Sequence, residues 1–116
     1  MKKFTLPKNI IIKNNDEFNE IFNQGKIFSS DYFIAYTLKN DCVKVGFTTP
    51  KRIKNKPQRN KIKRITRELW RKNYRKYHLD AKIVIISRIS LLSVNFIKLE
   101  EDFNHLLYKI EKKVCF

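Results

Sequence analysis

The sequence predicts an α+β fold in a single domain, and three observations carry the prediction. Residues 29–38 and 43–49 alternate with a period of two, and residues 83–87 form an unbroken apolar run, the two patterns that strands produce. Segments beginning near Asn14, Arg59 and Asn95 instead repeat their apolar residues at helical spacing. A chain of 116 residues, 42% of them hydrophobic and 13% aromatic, can bury one core but not two independent ones, so these elements must pack together.

Taken in order, residues 1–13 carry Lys2, Lys3, Lys8 and Lys13 around the apolar Ile10, Ile11 and Ile12, and fit either an extended arm or a short edge strand. Residues 14–25 read as a helix marked at both ends. Asn14 is its N-cap, with Glu17 three residues on as in a capping box, and Gly25 suits the C′ position. Phe18, Ile21 and Phe22 form its apolar face, which by spacing alone reads as core packing. In residues 29–38 both alternating sets are largely apolar, so that strand expects protein on one face and leaves room for a ligand on the other. Lys39, Asn40 and Asp41 supply a turn into residues 43–49, the second member of an expected hairpin, with Val45 and Phe47 on one face and Lys44, Gly46 and Thr48 on the other. Glycine inside a strand marks a bulge or a close backbone approach, and Gly46 is in that position. Residues 83–87 read as a central, buried strand. Arg88 at its end can pair with an acid, snorkel to solvent or meet a phosphate. A loop at 90–93 leads to a cap at Ser93 or Asn95 and a last helix over 95–113, whose face of Phe96, Leu99, Phe103, Leu106 and Ile110 can cover a sheet.

The most unusual stretch is 51–76, which holds half of the chain's 26 Lys and Arg against one acid, Glu68. From about Arg59, Ile62, Ile65, Leu69 and Trp70 fall on one helical stripe, while Asn60, Lys63, Arg64, Arg67 and Arg71 fall opposite. Pro57 sits just before, where proline helps to start a helix. A solvated charged face is the plain reading of a charge run, and Glu68 is spaced to pair with Arg64 or Lys72. One acid cannot neutralise so many cations, so the helix points to a polyanionic partner.

Composition narrows the partner. A net charge of +15 and a pI near 10.0 disfavour the isolated folded chain by self-repulsion, and nucleic acid is the partner that relieves it. A membrane surface would need the apolar stripe that the core already uses. No apolar run is long enough to span a bilayer or to serve as a signal peptide, which points to the cytoplasm. Cys42 and Cys115 have no metal-site spacing and suggest no disulfide framework. The acids are scattered, His78 and His105 stand alone, and there is no Gly-rich phosphate loop, so no catalytic residue, metal site or organic cofactor is assigned to the protein itself. What remains is a binding surface: cations for phosphates, and aromatic residues on the 29–38 strand suited to single-stranded RNA.

Residues 45–70, V-G-F-T-T-P-K-R-I-K-N-K-P-Q-R-N-K-I-K-R-I-T-R-E-L-W, resemble the signature of the bacterial ribonuclease P protein component, in which a V-G strand runs through a basic pair into R-N-R-x-K-R-x-x-R-E. N-D-E-F-N-E-I-F at 15–22, F-I-A-Y at 33–36 and I-V-I-I-S-R at 83–88 fall in the family's order and spacing. The resemblance implies a two-layer α/β sandwich of order αβββαβα, with helices on one side of a four-stranded, partly parallel sheet. It also implies a left-handed βαβ crossover through the basic helix, against the general right-handed rule. It further implies a monomeric, non-catalytic partner of a catalytic RNA subunit, acting with it to remove the 5′ leader of precursor tRNA, with Mg²⁺ held mainly by the RNA.

Position by position, the resemblance assigns Phe18, Phe22, Ile34, Tyr36, Thr48, Arg52 and Arg88 to a cleft for the leader, replacing the core-packing reading of Phe18 and Phe22. It assigns Arg59, Asn60, Lys61, Lys63, Arg64 and Arg67 to contact with the catalytic RNA. Three departures stand out. Lys61 replaces an arginine and loses its bidentate fork, Lys54 replaces a glycine, and Pro50 replaces a small polar residue. A structural RNA-binding protein, such as a ribosomal component, is the alternative of another class; an intrinsic nuclease is a third, disfavoured by the scattered acids.

Overall fold

Ile83, Val84 and Ile85 are buried on both sides because their strand lies inside the sheet with protein over each face. The structure, a computed structural model, describes residues 10–12, 14–51 and 53–114. Its elements are α1 (Asn15–Gln24), β1 (Lys26–Ser29), β2 (Phe33–Lys39), β3 (Lys44–Thr48), α2 (Lys56–Asn73), β4 (Ala81–Ser87) and α3 (Phe96–Val114), with single 3₁₀ segments at Tyr74–Lys76 and Ile89–Ser93. This is the expected αβββαβα order. The strands lie in the order β1-β2-β4-β3, with β3 and β4 parallel and the other pairs antiparallel.

The expected hairpin between β2 and β3 does not form. β4 inserts between them, pairing antiparallel with β2 from Phe33↔Ser87 to Lys39↔Ala81 and parallel with β3 from Lys44↔Lys82 to Thr48↔Ile86. The partner of β2 on its other side is β1, a four-residue strand that periodicity did not reveal. At the outer edge of β3, Ile11 makes a single parallel bridge to Val45, and the Ile12 N–H donates to the Val45 carbonyl at 2.8 Å. Of the two readings of the amino-terminal stretch, the part that is described follows the edge-strand one, reduced to one bridge.

Alternation along the strands builds two unequal layers on the sheet. Phe33, Ala35, Val45, Ile83 and Ile85 face α2 and α3 in the main core. Trp70 lies at its centre, stacked on Tyr74 at 5.2 Å and edge-on to Phe47 and Phe103. Truncating so large a buried side chain typically costs about 3–5 kcal/mol. The opposite face carries a smaller cluster in which Ile21 of α1 meets Val84, with Phe18, Tyr36 and Leu38 around it. The expectation of helices on one side is therefore corrected: α2 and α3 share a face, and α1 lies across the other. Helical spacing shows that α1 has an apolar face, but not which side of the sheet receives it.

Local chemistry sets the helix ends. Asn14 caps α1 by accepting from the Asp16 N–H at 2.7 Å, but Glu17 does not complete a capping box and turns to sheet lysines instead. Gly25 ends α1 at φ −77°, outside the left-handed region. Glycine is required there by space, since a Cβ would sit 2.5 Å from the Ile21 carbonyl oxygen and 2.8 Å from that of Thr37. α2 starts a turn earlier than periodicity suggested, because the Asn55 side chain accepts from the Gln58 N–H at 3.1 Å and Pro57 lies in the first turn, where no donor is lost. Asn95 caps α3 through the Lys98 N–H at 2.9 Å. No helix among the described residues is long and apolar enough to cross a membrane.

Candidate nucleic-acid interface

On the α1 face of the sheet, strand register arranges side chains in rows. Leu38, Lys82 and Lys44 form the first; Ile27, Tyr36, Val84 and Gly46 the second; Ser29, Ile34, Ile86 and Thr48 the third. α1 is held over the first two. Lys82 lies 3.3 Å from Glu17 and 3.5 Å from Glu20, Lys44 lies 3.6 Å from Glu17, and Ile21 packs on Val84. The hydrogen bond to Glu17 is the main cause holding the Lys82 ammonium above its ordinary pKa. In the third row Ile34, Ile86 and Thr48 remain half-buried and Ser29 exposed.

The rings of α1 border this open row. Phe18 stacks on Phe22 at 6.3 Å with planes 27° apart, and Phe22 meets Tyr36 edge-on at 4.9 Å. Phe18 can lie close to the sheet because the residue beneath is glycine; a Cβ on Gly46 would come within 2.6 Å of the ring. Between α1 and β3 runs an open groove of about 470 Å³ lined by Asn15, Phe18, Asn19, Phe22, Phe47 and Thr48. Phe22 is 38% exposed, an arrangement a core residue has no need of but a stacking surface does.

Of the cleft residues expected from the resemblance, Phe18, Phe22 and Thr48 line this groove and Tyr36 meets Phe22 at its side. Ile34 lies one row further along the same face. Arg88 follows β4, where its N–H donates to the Tyr32 carbonyl at 2.9 Å. Its Nε is buried with no hydrogen-bond partner among the described residues. Arg52 lies outside the described residues, as does Cys115. Sequence reasoning missed Asn15, Asn19, Phe47 and Ile86. Positions 15, 18, 19 and 22 share a helical face, so the spacing was available for the two asparagines. Phe47 was hidden by its apolar alternation, and Ile86 needed the sheet register.

The second surface is α2. Ile62, Thr66, Leu69 and Trp70 turn inward, and the Thr66 hydroxyl bonds the Ile62 carbonyl at 2.8 Å and meets the Ser87 hydroxyl, fixing the helix to β4. Asn60, Lys61, Lys63, Arg64 and Arg67 are exposed on the other side, with Arg59 half-buried. The acid of the stretch takes a different partner from those that spacing suggested: Glu68 is gripped by Arg71 through two contacts, one of 3.0 Å from Nε. That hydrogen bond is the main cause lowering the Glu68 carboxyl below its usual range and raising Arg71. The two surfaces meet at Phe47, which lines the groove while the Arg67 guanidinium lies over its ring at 5.8 Å.

Other acids serve as internal clamps. Asp102 accepts from the Ser30 hydroxyl at 2.6 Å and the Asp31 and Tyr32 N–H groups at 3.2 and 3.1 Å, pinning the β1–β2 turn to α3. Glu100 accepts from the buried Asn73 side chain at 3.0 Å, and Asp80 pairs with His78 at 2.8 Å. Among the described residues no three His, Cys, Asp or Glu side chains converge to hold a metal ion.

A family model described as Ribonuclease P matches residues 6–111. A ribonuclease P protein component of Listeria monocytogenes is 30% identical over 105 residues, covering 88% of each chain. The solved ribonuclease P protein of Thermotoga maritima superposes with a TM-score of 0.77 at 30% identity, covering 86% of this chain and 96% of its own. That of Staphylococcus aureus gives 0.74 at 29%, covering 90% and 96%. With likeness in sequence and in fold running across nearly the whole length, the chain belongs to the ribonuclease P family as a protein component, and so has a role in an endoribonuclease complex.

Proposed function

We propose that the chain holds two RNAs at once: the catalytic RNA subunit on α2, and the single-stranded 5′ leader of precursor tRNA in the groove beside α1. Removal of the leader is then the chemistry of the RNA subunit. The observation that carries this reading is the contrast between the surfaces, one made of exposed cations and the other of rings, adjoining at Phe47 and Arg67. A folded RNA offers phosphates outward, which Lys63, Arg64 and Arg67 meet without reading sequence. An unpaired strand also offers base faces, and Phe18, Phe22 and Tyr36 supply rings for them, each stacked base being worth about 1–3 kcal/mol.

In this reading the protein acts by binding and orientation. Gripping the leader and the catalytic RNA together fixes the scissile bond relative to the ribozyme, which replaces a loose encounter by a positioned one. Mg²⁺ bound by the RNA would supply an activated water and charge stabilisation for the leaving oxygen. The protein neutralises phosphate repulsion between the two RNAs, so its benefit is largest when divalent ions are scarce. The same reading has it monomeric and cytoplasmic, with no organic cofactor.

Reconstitution tests the proposal. The purified chain alone should leave precursor tRNA intact, and adding it to its catalytic RNA at low Mg²⁺ should restore accurate 5′ maturation. Failure to restore cleavage, or cleavage by the chain alone, would overturn it. Recovery with ribosomal particles and no effect on leader removal would favour a ribosomal role instead.

A further inference from the structure

The inward face of α2 is not wholly apolar. Among the described residues the buried polar side chains are Thr37, Thr66, Asn73 and Ser87, and all but Thr37 serve this one helix. Thr66 donates to the Ile62 carbonyl at 2.8 Å, so its single proton is engaged and the Ser87 hydroxyl of β4 is the donor in the contact between them. Asn73, wholly buried at the last residue of α2, fills every hydrogen-bonding position of its carboxamide. Its Nδ2 donates to the Leu69 carbonyl at 2.8 Å and to Glu100 of α3 at 3.0 Å. Its Oδ1 accepts from Lys76 at 3.0 Å and from Asn104 of α3 at 3.2 Å.

Stability does not require these groups. Replacing both partners of a buried hydrogen bond by apolar groups of the same shape can be nearly neutral, and Ile62, Leu69 and Trp70 already bury this face. What hydrogen bonds add is direction, which apolar packing lacks. Thr66 and Asn73 stand two turns apart on one face, about 10 Å along the axis. One is fixed to β4 and the other to α3, so the pair sets the line along which the helix runs. The cations divide at the same place. Arg71, Lys72, Arg75 and Lys76 are engaged by Glu68, the Phe96 ring, Tyr74 and Asn73. Lys61, Lys63 and Arg64, ahead of Thr66, are exposed, and their side chains make no hydrogen bond, ion pair or ring contact with a described residue. Freed at Thr66, the helix would pivot on Asn73. A tilt of about 10°, inside the scatter of about 15–20° seen between packed helices, would carry Arg64 by about 2 Å and Lys61 by about 3 Å. A hydrogen bond tolerates about 0.5 Å.

We propose that Thr66 and Asn73 are positioning residues, two fixed points that aim α2 so that its exposed cations meet the phosphates of the catalytic RNA together. The inference rests on the reading of α2 as the surface for that RNA. The test compares wild type with three variants of the full chain. Thr66→Val with Ser87→Ala removes one fixed point and leaves no orphan hydroxyl. Asn73→Asp turns an acceptor towards Glu100 and the Leu69 carbonyl, and Asn73→Asp with Glu100→Gln returns a donor to the α3 contact. Each protein is measured for thermal unfolding and for the salt slope of its binding to the catalytic RNA.

Thr66→Val with Ser87→Ala should unfold close to the wild-type temperature and still lose about 1 or more from the salt slope, about one for each phosphate contact put out of reach. Asn73→Asp should lower both slope and Tm, and Glu100→Gln should recover part of each. A purely structural role would move the Tm and leave the slope. A folded Thr66→Val, Ser87→Ala protein with the wild-type slope overturns the inference. Should that protein fail to fold, a wild-type slope in Asn73→Asp, or a Glu100→Gln that recovers Tm without slope, overturns it equally. Arg64→Ala with Arg67→Ala tests the α2 reading separately. An unchanged slope there overturns both that reading and the inference, whereas a reduced slope there beside wild-type slopes in the other variants overturns the inference alone.

Discussion

Replacing Gly46 by alanine should damage leader binding more than it damages the fold. The added Cβ would lie 2.6 Å from Cε1 and 2.7 Å from Cζ of Phe18, whereas ordinary contact begins near 3.4 Å, so the ring must move by about 0.8 Å or swing away. If the ring stays, overpacking costs about 1–3 kcal/mol of stability. If it swings, the strain is relieved at the expense of its stack on Phe22 and of the groove wall it forms. Losing one stacking partner at about 1–3 kcal/mol lowers affinity for leader-bearing substrate roughly 5- to 150-fold, with mature tRNA unaffected. Gly25→Ala is the comparison. Its Cβ would meet the backbone oxygens of Ile21 and Thr37 at 2.5 and 2.8 Å, and no rotamer change removes a backbone wall. Thermal unfolding and leader-dependent binding, measured on both variants, should separate them, Gly25→Ala losing chiefly stability and Gly46→Ala chiefly leader discrimination. A Gly46→Ala protein that keeps full discrimination while unfolding as easily as Gly25→Ala would refute the claim that this glycine seats Phe18.

Arg64→Ala with Arg67→Ala should weaken holoenzyme assembly across all sequences and reduce the salt slope of binding by about 1 for each phosphate contact removed; an unchanged slope would mean that neither side chain meets a phosphate. Glu68→Gln should do the opposite, releasing Arg71 and steepening the slope by up to about 1. The same substitution has a pH signature. Because Arg71 lowers the Glu68 carboxyl below its ordinary value of 4.5, the pair's contribution to stability is present above that value and lost as pH falls through the lowered one. The difference in Tm between wild type and Glu68→Gln should therefore be constant from about pH 7 to 5 and shrink once the pH falls through the lowered carboxyl value, and a difference that never shrinks across the acid range in which the protein stays folded would rule the pair out as its source.

The elements that residues announced locally were legible: the buried run that became β4, the amphipathic α2 and α3, the cap at Asn14. What the chain conceals is partnership at a distance. β2 and β3 look like a hairpin because they are adjacent with turn residues between, yet β4, some forty residues later, takes the place between them. β1 escaped because four residues with Ile27 61% exposed carry no alternation. For the site, the resemblance named Phe18, Phe22 and Tyr36, and periodicity named the cations of α2. Phe47 carried two meanings in one residue, core at its edge with Trp70 and groove wall at its other, and a strand pattern records only the first. Gly46 was readable as a close approach, though not what approached.

The insertion of β4 has a consequence for when the two surfaces come into being. The third row is assembled from Ile34, Ile86 and Thr48, and its middle member arrives on the last strand. A nascent chain ending before Ala81 already contains the whole of α2 and every ring of the groove, yet its β2 and β3 have no strand to join them into one floor. The long-range parallel pairing that completes that floor is the entropically slow kind. In the proposed reading, the cations that attract RNA exist in the chain before the surface that sorts one RNA from another, and selectivity is acquired only at the closing step of folding.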